Sequence, residues 1–355
     1  MKILVLNAGS SSLKYQLFDM EKETILAKGL CERIGTGGAV THKPTGKDPV
    51  SEEISLPDHG AALERVLALL TDATHGVVAS IEEIDAVGHR VAHGGEELKE
   101  SARITASTIA YLESIIPINP LHGPPAIAGI QACLALMPSV PQVAVFDTSF
   151  YSEIEDFRYV YPIPYEFYEQ DRVRGYAFHG TSHRFVSAEL AKALGKPIEE
   201  LKIVTCHLGN GSSISAVKDG KVIDTTMGFT PLAGVEMGTR CGDIDPAVVT
   251  YIMDKEGFTP DEMSNFMNKK CGFLGVSGLV RGFLQSLGLR CGLTLDLGSK
   301  ACCGKGGDDC LNGSLVGARL VAPVVGIHVP QNHAVGAFFY TVCGNVASGR
   351  THQAD

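Results

Sequence analysis

The chain opens on an apolar run, "KILVL" from Lys2, which reads as a strand buried on both faces and breaks at Gly9 and three successive serines. Beyond the break, Leu13, Tyr15 and Leu17 alternate with polar residues in the period of a half-buried strand. The pattern predicts a strand–turn–strand whose tip gathers hydroxyls, backbone N–H groups and the ammonium of Lys14. Such a tip suits a phosphate, although an ordinary Ser-rich hairpin has the same pattern.

A second copy weights the choice. "KILVLNAGSSSLKYQLFDMEKETILAKG" from Lys2 can be laid beside "KIVTCHLGNGSSISAVKDGKVIDTTMG" from Lys202: apolar strand, Gly/Ser turn, alternating strand, an Asp, then a third short strand. Two copies imply a duplicated domain with a phosphate-binding hairpin in each half. Neither turn leads directly into a helical pattern and neither fits "GxxxxGK[ST]", so the P-loop and dinucleotide fingerprints do not apply.

Between the hairpins, apolar runs deliver polar groups at their ends. "IDAVGHRVAHGGE" carries His89, Arg90 and His93 and breaks at Gly94 and Gly95; "VPQVAVFDTSFY" ends in Asp147. Charged groups at strand ends beside Gly-rich turns are where α/β proteins bind ligands. In "GYAFHGTSHRFVSAELAKAL", Phe178 and His179 precede a turn, and Ser182 is the expected N-cap of an amphipathic helix bearing Phe185, Leu190 and Leu194. "TPLAGVEMGTRCGDIDP" holds Arg240 in a Gly-rich loop, where a guanidinium is free to approach carboxylate or phosphoryl oxygens.

Length and charge narrow the class. The 355 residues are 45% hydrophobic, enough for two cores, and the formal net charge of −10 argues against a nucleic-acid partner. No apolar run reaches a membrane span and the start does not read as a signal peptide, so the expected location is cytoplasmic, with the ten cysteines as thiols. Six of those cysteines fall after residue 270 without the paired spacing of a metal site.

"NAGSSSLKY", "VGHRVAHGGE", "NPLHGPPA", "VFDTSFY", "YAFHGTSH", "HLGNGSS" and "TPLAGVEMGTRCGDIDP" resemble, in order and at family spacing, the motifs of the acetate kinase family. That family belongs to the acetate and sugar kinase, heat-shock ATPase and actin superfamily. The resemblance covers about residues 1–279. It implies an α/β fold with a duplicated ribonuclease-H-like core: an N-terminal domain over 1–149, a second domain over 150–279, and a cleft between them for ATP and Mg²⁺ (or Mn²⁺). It also implies a homodimer and reversible transfer of a phosphoryl group between ATP and acetate, giving acetyl phosphate and ADP.

Carried over residue by residue, the resemblance has Asn7 position the metal, while Ser10, Ser12 and Lys14 contact phosphates. Arg90 binds the carboxylate, Asp147 is catalytic, and His179 and Arg240 stabilise the transferring phosphoryl group. His207, Leu208, Gly209, Asn210 and Gly211 hold the nucleotide phosphates. A carboxylic acid is already ionised at neutral pH, so the reaction needs no base, and Asp147 makes better sense as an orienter. The acyl pocket implied by the family consists of Ala92, Leu121, Phe178 and Pro231. Acetate-specific members typically have Val where this chain has Ala92, which makes propionate the runner-up substrate.

After Leu279 the resemblance stops. The family continues with a nucleotide-contacting segment, a Gly-Ile-Gly-Glu-Asn loop against the adenosine, a late Glu that shares the metal, and a returning helix. Residues 280–355, with "QSLGLRCGL" and "ACCGKGG", show no steady period. Out-of-frame or decayed coding sequence and a genuine variant tail both stay open. Either makes a catalytically impaired relative the alternative to an active carboxylate kinase.

Overall fold

A computed structural model describes residues 1–278, so the readings made for residues 280–355 lie outside the described residues. The described residues group into two compact units, one of Met1–Phe185 with Gly220–Pro231, the other of Val186–Asp219 with residues 232–278. The first unit thus runs past the sequence boundary at 149/150. Residues beyond that boundary are tied into it: Tyr151 Oη donates to Phe178 O at 2.7 Å, and Tyr176 N and Ala177 N both donate to Gly228 O.

In the first unit lie β1 (Lys2–Ala8), β2 (Ser12–Asp19), β3 (Thr24–Glu32), β4 (Ala39–Pro44), β5 (Val50–Glu53), α1 (His59–Leu70), β6 (Ala86–Val91), β7 (Ala102–Arg103), α2 (Ala106–Ser114), α3 (Gly123–Leu136) and β8 (Gln142–Phe146). The sheet order is β5-β4-β3-β2-β1-β6-β8-β7. Its centre, three antiparallel strands followed by the parallel strands β6 and β8, is the ribonuclease-H-like arrangement that the family resemblance implies.

Register explains how the site is presented. Pairing of Leu4 with Leu17, Leu6 with Tyr15 and Ala8 with Leu13 puts the alternating apolar residues on one face, and parallel pairing of Leu4 with Val87 and Leu6 with His89 extends that face into β6. There they pack with Leu63, Val66, Leu67 and Leu70 of α1 and Cys133 of α3 in one buried cluster. Each fully buried Leu contributes about 1.5–3 kcal/mol, and a one-residue slip would turn the whole row outward. The opposite face therefore receives the odd residues of β1 and the even ones of β6, Asn7 and Arg90 among them. This corrects the expectation for "KILVL": Leu4 and Leu6 are buried, whereas Ile3 and Val5 are only half-buried, because the helical layer covers the other face.

The helices α4 (Asp156–Tyr159) and α5 (Glu166–Asp171) follow, and α6 (Gly180–Leu194) leads out of the first unit. The helix expected from Ser182 exists but begins earlier. Ser182 N and His183 N both donate to His179 O, which places Ser182 inside the first turn. Phe185 and Leu194 are exposed; the buried stripe is His183, Val186, Ser187, Leu190 and Ala191. Its small and polar members hide it from a hydrophobicity count.

The second unit pairs β9 (Lys202–Leu208) with β10 (Ser212–Lys218) in antiparallel register, whereas β11 (Lys221–Thr225) falls in the segment grouped with the first unit. The helices of the second unit are α7 (Pro246–Glu256), α8 (Pro260–Lys269) and α9 (Gly272–Ser277). Among the described residues no helix is long and apolar enough to cross a membrane, and Cys31, Cys133, Cys206, Cys241 and Cys271 are free.

Two buried histidines set an acid limit on stability. Burial holds both His89 and His93 down to about 4 from the ordinary 6.5. Between those values the unfolded chain binds protons that the fold refuses, so their contribution is complete above pH 6.5 and is lost as pH falls towards 4. Stability should decline by about 1.4 kcal/mol per pH unit for each histidine in that window. Denaturant unfolding from pH 4.5 to 7 should show this slope, and His89→Gln should reduce it; an unchanged slope in the variant contradicts the assignment.

Candidate active site

Arg90 is the centre of the first unit's polar face. Its Nη2 and Nε donate to Asp147 Oδ2 and Oδ1 at 2.6 and 3.3 Å, and its Nη1 donates to Asn7 Oδ1 at 3.3 Å. Asp147, only 1% exposed, follows directly from β8, whose Val145 lies beside Arg90 in parallel register. The carboxylate's charge, acting against burial, raises the pKa of Arg90. Of the five N–H groups of a guanidinium, three are engaged by these bonds. The remaining pair, one on each Nη, forms the end fork that matches a carboxylate.

Behind Asp147 the chain makes an unusual turn. Ala177 and His179 have φ of +62° and +63°, a left-handed conformation that costs non-glycine residues energy and persists where surroundings enforce it. Tyr151 Oη holds Phe178 O between them, and Phe178 is buried with the His93 ring edge-on at 5.7 Å. His93 in turn lies 4.3 Å from the Tyr176 ring and accepts from Gly95 N through Nδ1 at 2.9 Å. The turn starts α6 against Asp147, and Thr181 Oγ1 donates to Asp147 Oδ1 at 2.8 Å. Tyr151→Phe removes the anchor of this turn and should lower stability by about 1 kcal/mol, as read from the denaturant midpoint; an unchanged midpoint would show that the bond does not hold the turn.

The residues that the resemblance assigns to an acyl pocket differ in exposure. Phe178 is buried, Ala92 and Pro231 are half-buried, and Leu121 is 62% exposed just ahead of α3. At the first hairpin tip Ser10 and Lys14 are exposed and Ser12 is half-buried. Gly9 N donates to Ser12 O at 2.8 Å, and His59 Nε2 donates to Gly9 O at 2.7 Å, pinning the tip to the start of α1.

In the second unit, the hairpin from His207 and Leu208 turns through Gly209, Asn210 and Gly211, closed by Gly209 N to Gly211 O at 3.0 Å. Gly238 N donates to Asn210 O, which joins this turn to the loop that carries Arg240. The loop is docked on the start of α9 by bonds from Phe273 N to Met237 O and Leu274 N to Gly238 O. A methyl group on Gly272 would lie 2.1 Å from Met237 O, so glycine is required there. Burial lowers the pKa of Arg240.

Among the described residues no group of three His, Cys, Asp or Glu side chains is placed to hold a metal ion. Asn7 Oδ1 already accepts from a guanidinium, and Asp147 is committed to Arg90 and Thr181. These residues do not fit a resident metal by themselves.

A family model described as the acetokinase family matches residues 2–286. The chain belongs to the acetokinase family. The acetate kinase of Caldanaerobacter subterraneus subsp. tengcongensis is 56% identical over 284 residues, 80% of this chain and 71% of that relative's length. The crystal structure of Porphyromonas gingivalis acetate kinase superposes with a TM-score of 0.77 at 44% identity, covering 82% of this chain and 73% of that one. A propionate kinase from Francisella tularensis subsp. tularensis has a TM-score of 0.75 at 38% identity, with the same two coverages. The fold is therefore that of the acetokinase family, α/β and actin-like, as the motifs implied.

Sequence reasoning missed Thr181, Tyr151 and His59. Thr181 stands inside the motif "YAFHGTSH" but its partner is thirty-four positions away. His59 belongs to "PDHGAALERV", where only the N-capping Asp58 is legible.

Proposed function

We propose that this chain transfers a phosphoryl group from ATP to a short carboxylate, giving an acyl phosphate and ADP, and that Arg90 binds the carboxylate. The observation that carries this reading is the end fork of Arg90, left over after Asp147 and Asn7 have taken its other donors. A carboxylate seated there would present an oxygen for attack on the γ-phosphorus while the bond to the departing ADP oxygen breaks. With the carboxylate already ionised, the protein's task is to bring two anions together and balance the charge of the transferring group. His179 and Arg240 take the latter role in this reading. Ser10, Ser12, Lys14 and the His207–Gly211 turn serve the nucleotide phosphates, with Mg²⁺ (or Mn²⁺) arriving as part of the nucleotide. Asp147 orients Arg90 rather than accepting a proton. The reading extends to a homodimer and a cytoplasmic location, as in the resemblance.

Acetate is the first substrate of this proposal and propionate the second. Ala92→Val should lower kcat/KM for propionate relative to acetate by about tenfold, the low end of what one methylene decides in an apolar pocket. A ratio that does not move would remove Ala92 from the pocket.

A slow enzyme follows from the tail. Residues 280–355 contain no counterpart of the family's Gly-Ile-Gly-Glu-Asn loop. The phosphate-contacting residues all precede residue 279, so charge dominates the expected nucleotide binding. ATP and GTP should bind alike, and more weakly as salt is added. Calorimetry with both nucleotides tests this, and adenine-selective micromolar binding would contradict it.

A further inference from the structure

We propose that Thr181 is a positioning residue for the carboxylate site, acting through Asp147. The inference rests on the carboxylate-binding role of Arg90 given above. Asp147 is buried and must have its lone pairs satisfied, and Arg90 alone does not fix it: one of the two bonds from Arg90 is a firm 2.6 Å, but the other, from Nε to Oδ1, is a long 3.3 Å. Oδ1 takes its shorter bond, 2.8 Å, from Thr181 Oγ1. The hydroxyl therefore sets the rotation of the carboxylate plane, and that plane sets the direction of the guanidinium fork.

The surrounding chain is built to deliver this one hydroxyl. His179 adopts a left-handed φ to reverse the chain, and Gly180 follows where an added methyl group would come 1.9 Å from Asp147 O. Only glycine lets the first turn of α6 approach so closely, and Thr181 is the residue that turn brings to Asp147. Arg184, on the same helix, reaches Ser149 Oγ at 3.5 Å, while the hydroxyl of Thr181 reaches Asp147 Oδ1.

The consequence is selective. Without the hydroxyl, Asp147 keeps its pairing with Arg90 but the pair can rotate together, so the end fork is misdirected while the charge remains. Affinity for the carboxylate should fall and affinity for the nucleotide should not.

The test uses the full chain, with acetate binding followed by saturation-transfer NMR of its methyl group and ATP binding by calorimetry. Thr181→Val should weaken acetate about tenfold, the scale of one hydrogen bond to an ionised group, and leave ATP within about twofold. Thr181→Ser should restore acetate binding. Acetate binding unchanged in Thr181→Val, or equal loss for acetate and ATP, overturns the role of Thr181. A parent chain that binds no acetate overturns the reading of Arg90 itself and the positioning role with it, whereas a binding parent with an indifferent variant overturns the positioning role alone.

Discussion

Arg90→Ala should raise KM for acetate by about 100-fold or more while leaving KM for ATP near its parent value. In the proposed reading the guanidinium supplies the paired N–H donors for the carboxylate, and hydrogen bonds to ionised partners are worth about 1.5–3 kcal/mol each. Equal loss for both substrates would remove Arg90 from the carboxylate site. The variant carries a second cost, because Asp147 is 1% exposed and would keep Thr181 but lose its cation. Breaking a buried pair in this way destabilises by about 3–5 kcal/mol. Arg90→Lys separates the two effects: a positive charge remains near Asp147, yet an ammonium offers no planar fork. It should fold better than the alanine variant and still bind acetate poorly.

Gly180→Ala should lose stability and activity together. The new methyl group would meet Asp147 O at 1.9 Å and Phe150 Cβ at 2.8 Å, and neither a backbone carbonyl nor a Cβ can swing aside. Overpacking of this kind costs about 1–3 kcal/mol, and more where backbone must move. The relief available is for α6 to withdraw, which would lengthen the bond from Thr181 to Asp147. Misplacement by about 1 Å costs on the order of 100-fold in rate. Gly88→Ala is the matched control, since a methyl group there meets open space. Denaturant midpoints and turnover of the two variants check the argument; a Gly180→Ala protein with parental stability and rate would contradict it.

The sequence made the hairpins legible because their signals are local. Period-2 alternation around Leu13, Tyr15 and Leu17, and a Gly/Ser break before it, specify strand, face and turn within twenty residues. The same local logic put Arg90 and Asp147 at strand ends. Their pairing was not legible, since residues fifty-seven positions apart meet only through the parallel register of β6 and β8. Thr181 shows the same limit, with a role that exists only because a glycine and a left-handed histidine fold the chain back onto β8. The helix starting at Gly180 was misplaced by three residues for a related reason: Ser182 has the composition of a cap, while the first helical bonds close on His179 O. The apolar face of that helix was misread because buried Ser187 and His183 carry no hydrophobic signal.

The roles proposed for Arg90, Asp147, His179 and Arg240 all depend on one reaction. It is measured by incubating the full chain with ATP, Mg²⁺, acetate and hydroxylamine and following acetyl hydroxamate, which traps acetyl phosphate as it forms. Acetate-dependent hydroxamate, slower than the about 1–100 per second of ordinary kinases and abolished in Arg90→Ala, is the predicted result. Hydroxamate formation that needs no acetate or survives Arg90→Ala, or no product above the Arg90→Ala background, would contradict the assignment of this chain as a carboxylate kinase built on Arg90.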